Sequence, residues 1–196
     1  MHHQPLLVVL RAEEPLTLCQ RLLGLERIGV RHVEIAWSRH PAWAEQVREL
    51  QRRCPALQLG AASITAAEGL RAVAAAGLGY AMAPMLDPAL QALAQECGVV
   101  LVPGVFSPTE VHGAMALGCP LVKLFPAATL GPAHWQRLRQ PLGPLPFCIA
   151  AGGLAVGDMD AWLGAGVDAV TLGASVADGE GLRELEAWIR SRRSPL

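Results

Sequence analysis

Lysine is nearly absent from this sequence of 196 residues. Of its 16 basic residues, 15 are arginines and one, Lys123, is a lysine. The 17 acidic residues bring the net charge to -1, and neither sign forms a long run. A basic surface for nucleic acid is therefore not expected, and we predict no nucleic-acid partner.

Metal-binding and membrane-spanning patterns are also missing. The five cysteines and six histidines show none of the short spacings of zinc knuckles, redox pairs or HxH and HExxH motifs. No apolar run reaches the roughly 18 residues of a membrane span, and the start lacks the pattern of a signal peptide. We therefore expect no metal site and no membrane contact, and we predict a cytoplasmic protein.

The sequence does contain a repeated alternation of two kinds of segment: short apolar runs, and stretches whose apolar residues are spaced as on one face of a helix. Hydrophobic residues make up 52% of the chain, enough for one large core, so we predict a single domain over residues 1–196. Eight short apolar runs predict strands, and the stretches between them have apolar residues three and four apart. The runs are LLVVL, HVEIAW, LQLGAAS, GYAMAP, VVLVPG, LVKLFP, FCIAAGG and DAVTLGA. This alternation predicts a compact (β/α)8 TIM barrel, with an open doubly wound sheet as the alternative.

The only lysine stands in LVKLFPA, among apolar residues. On a strand, Leu121, Lys123 and Phe125 share one face, so the amine is confined inside a barrel. Burial lowers the pKa of a lysine and leaves a neutral amine that can attack a carbonyl. Arginine stays protonated and forms no stable imine, which explains why this position uses lysine. The alternative is a lysine that reaches to the rim or pairs with a buried acid.

Glu34 is the acid embedded in another apolar run, HVEIAW. A carboxyl group in an apolar lumen has a raised pKa and can carry protons to and from a substrate, as imine chemistry requires. Equally, Glu34 could do no more than neutralise Lys123. Trp37 follows it on the same run and could either shape the substrate pocket or pack in the core.

Two glycine-containing loops follow the last two predicted strands. AAGGL contains Gly152 and Gly153, and TLGAS contains Gly173 and Ser175. In barrels, these two loops often bind phosphate through main-chain N–H groups, although ordinary turns have the same composition. Arg11, at the end of the first run, could hold a carboxylate with two hydrogen bonds or simply lie on the surface.

Taken together, these motifs resemble the class I aldolases that act on 2-keto-3-deoxy-6-phosphogluconate (KDPG) and 4-hydroxy-2-oxoglutarate (KHG). The resemblance spans nearly the whole chain, and LVKLFPA and VEIAW are its most specific parts. It implies cleavage of a 2-keto acid to pyruvate and an aldehyde, either glyceraldehyde 3-phosphate or glyoxylate. It also implies that no cofactor is needed and that the protein is a homotrimer.

The same resemblance implies a role for each motif residue. Lys123 would form the imine and Glu34 would shuttle protons, while Arg11 would hold the substrate carboxylate. The glycines and Ser175 would hold the phosphate. The residues implied to contact the substrate are Arg11, Ser63, Pro84, Phe125, Gly152, Gly153, Gly173 and Ser175.

The chain departs from the family pattern at several pocket positions. Ala36 and Ser38 follow the glutamate where many members have threonine and arginine, and Ala151 replaces the threonine before the paired glycines. Arg11 or Arg39 could replace the lost carboxylate contact. These changes leave the preferred keto acid open among KDPG, its galactonate epimer and KHG. Another phosphate-binding barrel enzyme, an isomerase or synthase, and a non-catalytic barrel that binds a phosphorylated metabolite remain as alternatives.

Overall fold

Parallel strands alternate with helices in this computed structural model, which describes residues 4–177 and 179–193. The strands are β1 (Leu6–Leu10), β2 (His32–Ala36), β3 (Gln58–Ala62), β4 (Tyr80–Met82), β5 (Val100–Val102), β6 (Gly104–Val105), β7 (Leu121–Leu124), β8 (Phe147–Ala151) and β9 (Ala169–Leu172). The α-helices are α1 (Cys19–Ile28), α2 (Trp43–Arg53), α3 (Ala67–Ala75), α4 (Pro88–Glu96), α5 (Pro108–Ala116), α6 (Ala127–Leu130), α7 (Ala133–Leu142), α8 (Met159–Gly164) and α9 (Gly179–Arg193). Short 3-10 helices cover Pro15–Leu18, Val156–Asp158 and Ala174–Val176.

The strands form one sheet that curls into a nearly closed barrel. Their order is β5-β4-β3-β2-β1-β9-β8-β7-β6, and neighbouring strands are parallel. The two ends of this order, β5 and β6, are consecutive in the chain and separated only by Pro103. The sheet therefore returns to its starting point, which confirms the predicted TIM barrel rather than the open sheet.

One predicted strand, VVLVPG, is divided in the structure. Its first part, β5, pairs with β4, and its second part, β6, pairs with β7. Pro103 lies between them and has no N–H to donate to a sheet ladder, so the strand breaks there. Its carbonyl still accepts a hydrogen bond of 2.8 Å from the main-chain N–H of Lys123. This bond ties the divided strand to the strand that bears the lysine.

Alternate side chains of each strand point to opposite sides of the barrel wall. Outward-facing residues such as Val122 and Leu124 join the large core between the sheet and the helices. Inward-facing residues form a smaller buried cluster that fills part of the barrel interior. That cluster consists of Leu7, Met82, Val102, Ile149 and Ala169. Because apolar side chains fill this part of the lumen, a ligand can enter only from the end of the barrel where the strands finish.

Local signals in the sequence set the helix ends. Asp87 caps α4 by accepting hydrogen bonds from the N–H groups of Ala89 and Leu90. Ser107 and Glu110 form a reciprocal capping box at the start of α5. Glycines with positive φ follow five of the helices within two residues of their last residue; they are Gly29, Gly77, Gly98, Gly118 and Gly166. Within the described ranges, no helix is both long and apolar enough to cross a membrane.

Candidate active site

A cavity of about 410 Å³ opens at the carboxyl ends of the barrel strands. All ten residues predicted to form a site line it: Arg11, Glu34, Ser63, Pro84, Lys123, Phe125, Gly152, Gly153, Gly173 and Ser175. They come from both halves of the chain, and the closed sheet order brings them to one place. The structure therefore gathers the predicted residues, while the role of each one stays a prediction.

Lys123 lies on β7 and points into the cavity with only 7% of its surface exposed. Its Nζ atom is 4.9 Å from the centroid of the Phe125 ring. Burial lowers the pKa of Lys123 to about 8; the negative charge of Glu34 opposes this shift and the positive charge of Arg11 adds to it. Roughly a tenth of the amine is thus unprotonated and nucleophilic at pH 7, far more than for an exposed lysine.

Glu34 lies on β2 and is 2% exposed. Burial raises the pKa of its carboxyl group to about 7, and the charges of Lys123 and Arg11 act in the opposite direction. Its Oε1 atom is buried and has no hydrogen-bond partner in the described part of the chain. Among the ion pairs of residues 4–177 and 179–193, none joins Glu34 to Lys123. The acid and the amine therefore act on each other through their charges without forming an ion pair, and both face the same cavity.

Arg11 follows β1 and stands at the mouth of the cavity. Its Nη1 donates a hydrogen bond of 2.7 Å to Oγ of Ser63, which follows β3. Ser63 has a φ of 64°, in the left-handed region that residues other than glycine rarely adopt. The hydroxyl of Ser63 therefore supports the guanidinium at the rim, where its charge lowers the pKa values of both Lys123 and Glu34.

Gly152 and Gly153 lie directly after β8, at positions where the backbone conformation and the close neighbours both disfavour any residue with a side chain. Their φ angles are 96° and 79°. A Cβ atom on Gly152 would lie 2.9 Å from the Phe125 ring, and one on Gly153 would lie 2.9 Å from Cβ of Ala128. Both contacts are shorter than carbon atoms tolerate without movement, so a side chain at Gly152 would push on the ring that packs beside Lys123.

We expect Gly152→Ala to impair both stability and activity. The left-handed backbone would lower the free energy of unfolding by roughly 1–2 kcal/mol. Displacement of Phe125 would reduce kcat/KM by roughly 10- to 100-fold, since a shift of about 1 Å near a reacting group can have such an effect. Chemical denaturation and steady-state kinetics measure the two quantities.

Gly157→Ala is the matched control for this substitution. Gly157 lies in the neighbouring short helix, and a Cβ atom there would meet nothing within 4 Å. We expect its stability to stay within about 1 kcal/mol of the parent protein and its activity to be unchanged. Full activity in Gly152→Ala would contradict the role given to the Phe125 ring.

The hydroxyl of Ser175 connects the two glycine loops. Its Oγ donates a hydrogen bond of 2.8 Å to the main-chain carbonyl of Leu154. A hydroxyl has one proton, so in this arrangement it has none left for a phosphate oxygen. If these loops hold an anion, their main-chain N–H groups are the available donors, and Ser175 fixes the spacing between the loops.

Directly after Glu34 the chain departs from the family pattern, and the residues at which it does so do not line the cavity. The ring of Trp37 packs over Gly69 of α3, where a Cβ atom would lie 3.0 Å from it. Ser38 donates to the carbonyl of Glu13 at 2.6 Å, and Arg39 pairs with Glu68 while its side chain is 79% exposed. Of the two arginines considered for a carboxylate, Arg11 is therefore the one that lines the cavity.

One polar cavity residue, Thr171 on β9, is not among the residues predicted from the sequence. It sits in the apolar run DAVTLGA and is 5% exposed. The alternation of strand side chains was the available signal, because Thr171 is two residues before Gly173 and faces the same side. Across the ranges that the structure describes, no three His, Cys, Asp or Glu side chains are grouped so that they could hold a metal ion.

Comparisons with known proteins find matches over most of the chain. The family model described as KDPG and KHG aldolase matches residues 1–189. The chain is 28% identical over 156 residues to the 2-dehydro-3-deoxy-phosphogluconate aldolase of Treponema pallidum (strain Nichols), covering 79% of this chain and 72% of that protein. It is 29% identical over 175 residues to a probable 2-dehydro-3-deoxy-6-phosphogalactonate aldolase of Rhizobium meliloti (strain 1021), covering 88% and 82%.

A solved structure shares the fold over nearly the whole length. It is the KDPG aldolase from Legionella pneumophila with pyruvate captured at low pH as a covalent carbinolamine intermediate. The TM-score is 0.79 at 23% identity, and the match covers 97% of this chain and 93% of that one.

Proposed function

The chain belongs to the KDPG and KHG aldolase family, and on that premise we propose that it cleaves its substrate through a Schiff base on Lys123. At the level of reaction class it is an aldolase, a carbon–carbon lyase. The observation that carries the proposal is the environment of its only lysine: Lys123 is 7% exposed, lines the cavity with Glu34, and has a pKa lowered to about 8 by burial. The carbinolamine in the Legionella pneumophila relative supports the same chemistry.

The first half of the reaction forms the imine. The neutral amine of Lys123 attacks C2 of the 2-keto acid, and the ketone oxygen takes up a proton to give a carbinolamine. Glu34 in its protonated form donates a proton to the departing hydroxyl, and water leaves as the protonated imine forms. A pKa raised to about 7 allows Glu34 to act as this acid near neutral pH.

The second half breaks the C3–C4 bond. Glu34, now a carboxylate, accepts the proton of the C4 hydroxyl, and the bonding electrons move to C3 as the imine becomes an enamine. The aldehyde departs, Glu34 returns the proton to C3, and water hydrolyses the pyruvate imine to release pyruvate and the free amine. One carboxyl group can serve each step because its two protonation states are both accessible.

We propose a phosphorylated 2-keto-3-deoxy acid as the substrate, with KDPG or its galactonate epimer first and KHG as the unphosphorylated option. The glycine loops after β8 and β9 line the same cavity as Arg11. Arg11 would bind the carboxylate, and the main-chain N–H groups of the loops would bind the phosphate. Such positioning can lower a barrier by roughly 7–11 kcal/mol in favourable cases. A homotrimeric assembly stays a proposal that rests on the family resemblance, and a cytoplasmic location stays one that rests on the sequence patterns.

Trapping with pyruvate and borohydride tests the imine. Reduction should leave a stable adduct on Lys123, which digestion and mass spectrometry can locate because no other residue of the chain is a lysine. Samples without pyruvate or without borohydride are the controls. An adduct confined to the chain's α-amino group, or no adduct at all, would falsify the imine mechanism.

Product analysis with KDPG, its galactonate epimer and KHG, each at the same concentration, tests the substrate. We expect release of pyruvate, and faster release from the phosphorylated acids. An isomerase or synthase would release none. A non-catalytic binding protein would be stabilised against heat by sugar phosphates and would still release no pyruvate after long incubation.

A further inference from the structure

Thr171 is a buried hydroxyl residue in the wall of the cavity. Its neighbours on β9, Val170 and Leu172, point outward into the core between sheet and helices. Thr171 points inward with 5% exposure and lines the cavity. Valine has the same shape and would fill this position without a polar atom, so packing alone does not explain a hydroxyl group here.

The hydroxyl of Thr171 differs from the two serine hydroxyls that line the same cavity. Oγ of Ser63 accepts a hydrogen bond from Arg11, and Oγ of Ser175 donates one to Leu154. Oγ1 of Thr171 is fully buried and has no hydrogen-bond partner among the described residues. An unpaired buried hydroxyl destabilises a folded protein by roughly 1–3 kcal/mol, so a partner that arrives with the ligand would remove this penalty.

The register of the sheet places this hydroxyl close to the reacting end of the cavity. Ile149 on β8 pairs with both Lys123 on β7 and Ala169 on β9. Thr171 is two residues beyond Ala169 on the same face, one step nearer the cavity mouth, and it lines the same cavity as Lys123. It precedes the glycine loop after β9, so it lies below the proposed phosphate site.

We propose that the Thr171 hydroxyl donates a hydrogen bond to an oxygen of the pyruvate-derived half of the substrate and so determines its affinity. This inference rests on the proposed Schiff-base function, because that function places a 2-keto acid next to Lys123. Ala151, the register partner of Thr171 on β8, also lines the cavity and has no polar side-chain atom. A hydroxyl moved to position 151 would therefore project into the same part of the cavity from the neighbouring strand.

The test measures how the amount of borohydride-trapped Lys123 adduct depends on pyruvate concentration. Thr171→Val should raise the half-saturating concentration by about 10- to 100-fold, the range expected for loss of a hydrogen bond to a charged group. Thr171→Ser should stay close to the parent protein. In the double variant Ala151→Thr/Thr171→Val, part of the lost affinity should return. Thr109→Val, on the exposed surface of α5, is the matched control and should change nothing.

Thermal melting of the same variants separates binding from folding. Thr171→Val should melt at or above the temperature of the parent protein, because it removes an unpaired buried hydroxyl. If it fails to fold, Thr171→Ser and Thr171→Ala provide the same comparison. A half-saturating concentration unchanged in the variant without a hydroxyl would overturn the role of Thr171 while leaving the Schiff base intact. Absence of any adduct in the parent protein would overturn the proposed function and this inference with it.

Discussion

Lys123→Arg is expected to abolish turnover while leaving the barrel folded. Arginine keeps a positive charge at the position but stays protonated and forms no stable imine. We expect kcat/KM to fall by roughly four orders of magnitude or more, as is typical when a covalent nucleophile is removed. Pyruvate release and borohydride trapping measure the loss of activity and the loss of the adduct in the same samples.

Two further variants separate the chemistry of Lys123 from its charge and volume. Lys123→Met has a similar length and no charge, and we expect it to be equally inactive but at least as resistant to heat as the parent protein, since a buried amine is costly to desolvate. Arg39→Lys places a second lysine on the exposed surface. It should keep full activity and acquire no adduct at position 39, because an exposed amine stays protonated at neutral pH. Activity in Lys123→Arg above about one per cent would contradict the nucleophilic role.

The fold was predictable because the periodicity of strands and helices determines how apolar residues are spaced along the sequence. Eight apolar runs gave the eight βα units, and the inward or outward direction of each side chain followed from alternation along a strand. The division of VVLVPG into β5 and β6 was not predicted. Pro103 gave the local signal, but its effect depends on pairing with β4 on one side and β7 on the other.

The hydrogen bonds between side chains inside the cavity could not be predicted from the sequence. Arg11 and Ser63 are 52 positions apart, and their hydrogen bond depends on the left-handed backbone at Ser63. The pairing of Ser175 with Leu154 likewise depends on how two loops meet. Local patterns predict which face of a strand a residue occupies, while the partner of a hydroxyl group depends on strands and loops that are distant in sequence. The role that the resemblance implies for Ser175, holding a phosphate, stays a prediction, and the hydrogen bond of its hydroxyl to the carbonyl of Leu154 is a feature that no local pattern indicated.

Glu34→Gln is expected to lower kcat by roughly 100- to 10,000-fold, the usual range for loss of a general acid and base. Glutamine has the same shape and can donate a hydrogen bond, but it cannot take up and return a proton.

The parent protein should have a bell-shaped dependence of kcat/KM on pH. Activity falls at low pH, where Lys123 and Glu34 both carry their protons, and at high pH, where both have lost them, so the optimum lies between the two pKa values of this interacting pair, about 7 and about 8.

The stability of Glu34→Gln should change in the opposite direction from its activity. The folded-state pKa of Glu34 is raised from 4.5 to about 7, so its favourable contribution is complete below pH 4.5 and is lost as the pH rises through 7. Glutamine removes this loss, and the variant should melt above the parent protein at pH 8.

In the variant the alkaline limb of the rate profile should vanish. The remaining acid limb should report Lys123 alone, with a pKa below about 8, because the carboxylate that raises it is gone. If Glu34 only neutralised Lys123, the pKa of Lys123 would fall in the same way but kcat at the optimum would match that of the parent protein; kcat at the optimum therefore decides between the two roles.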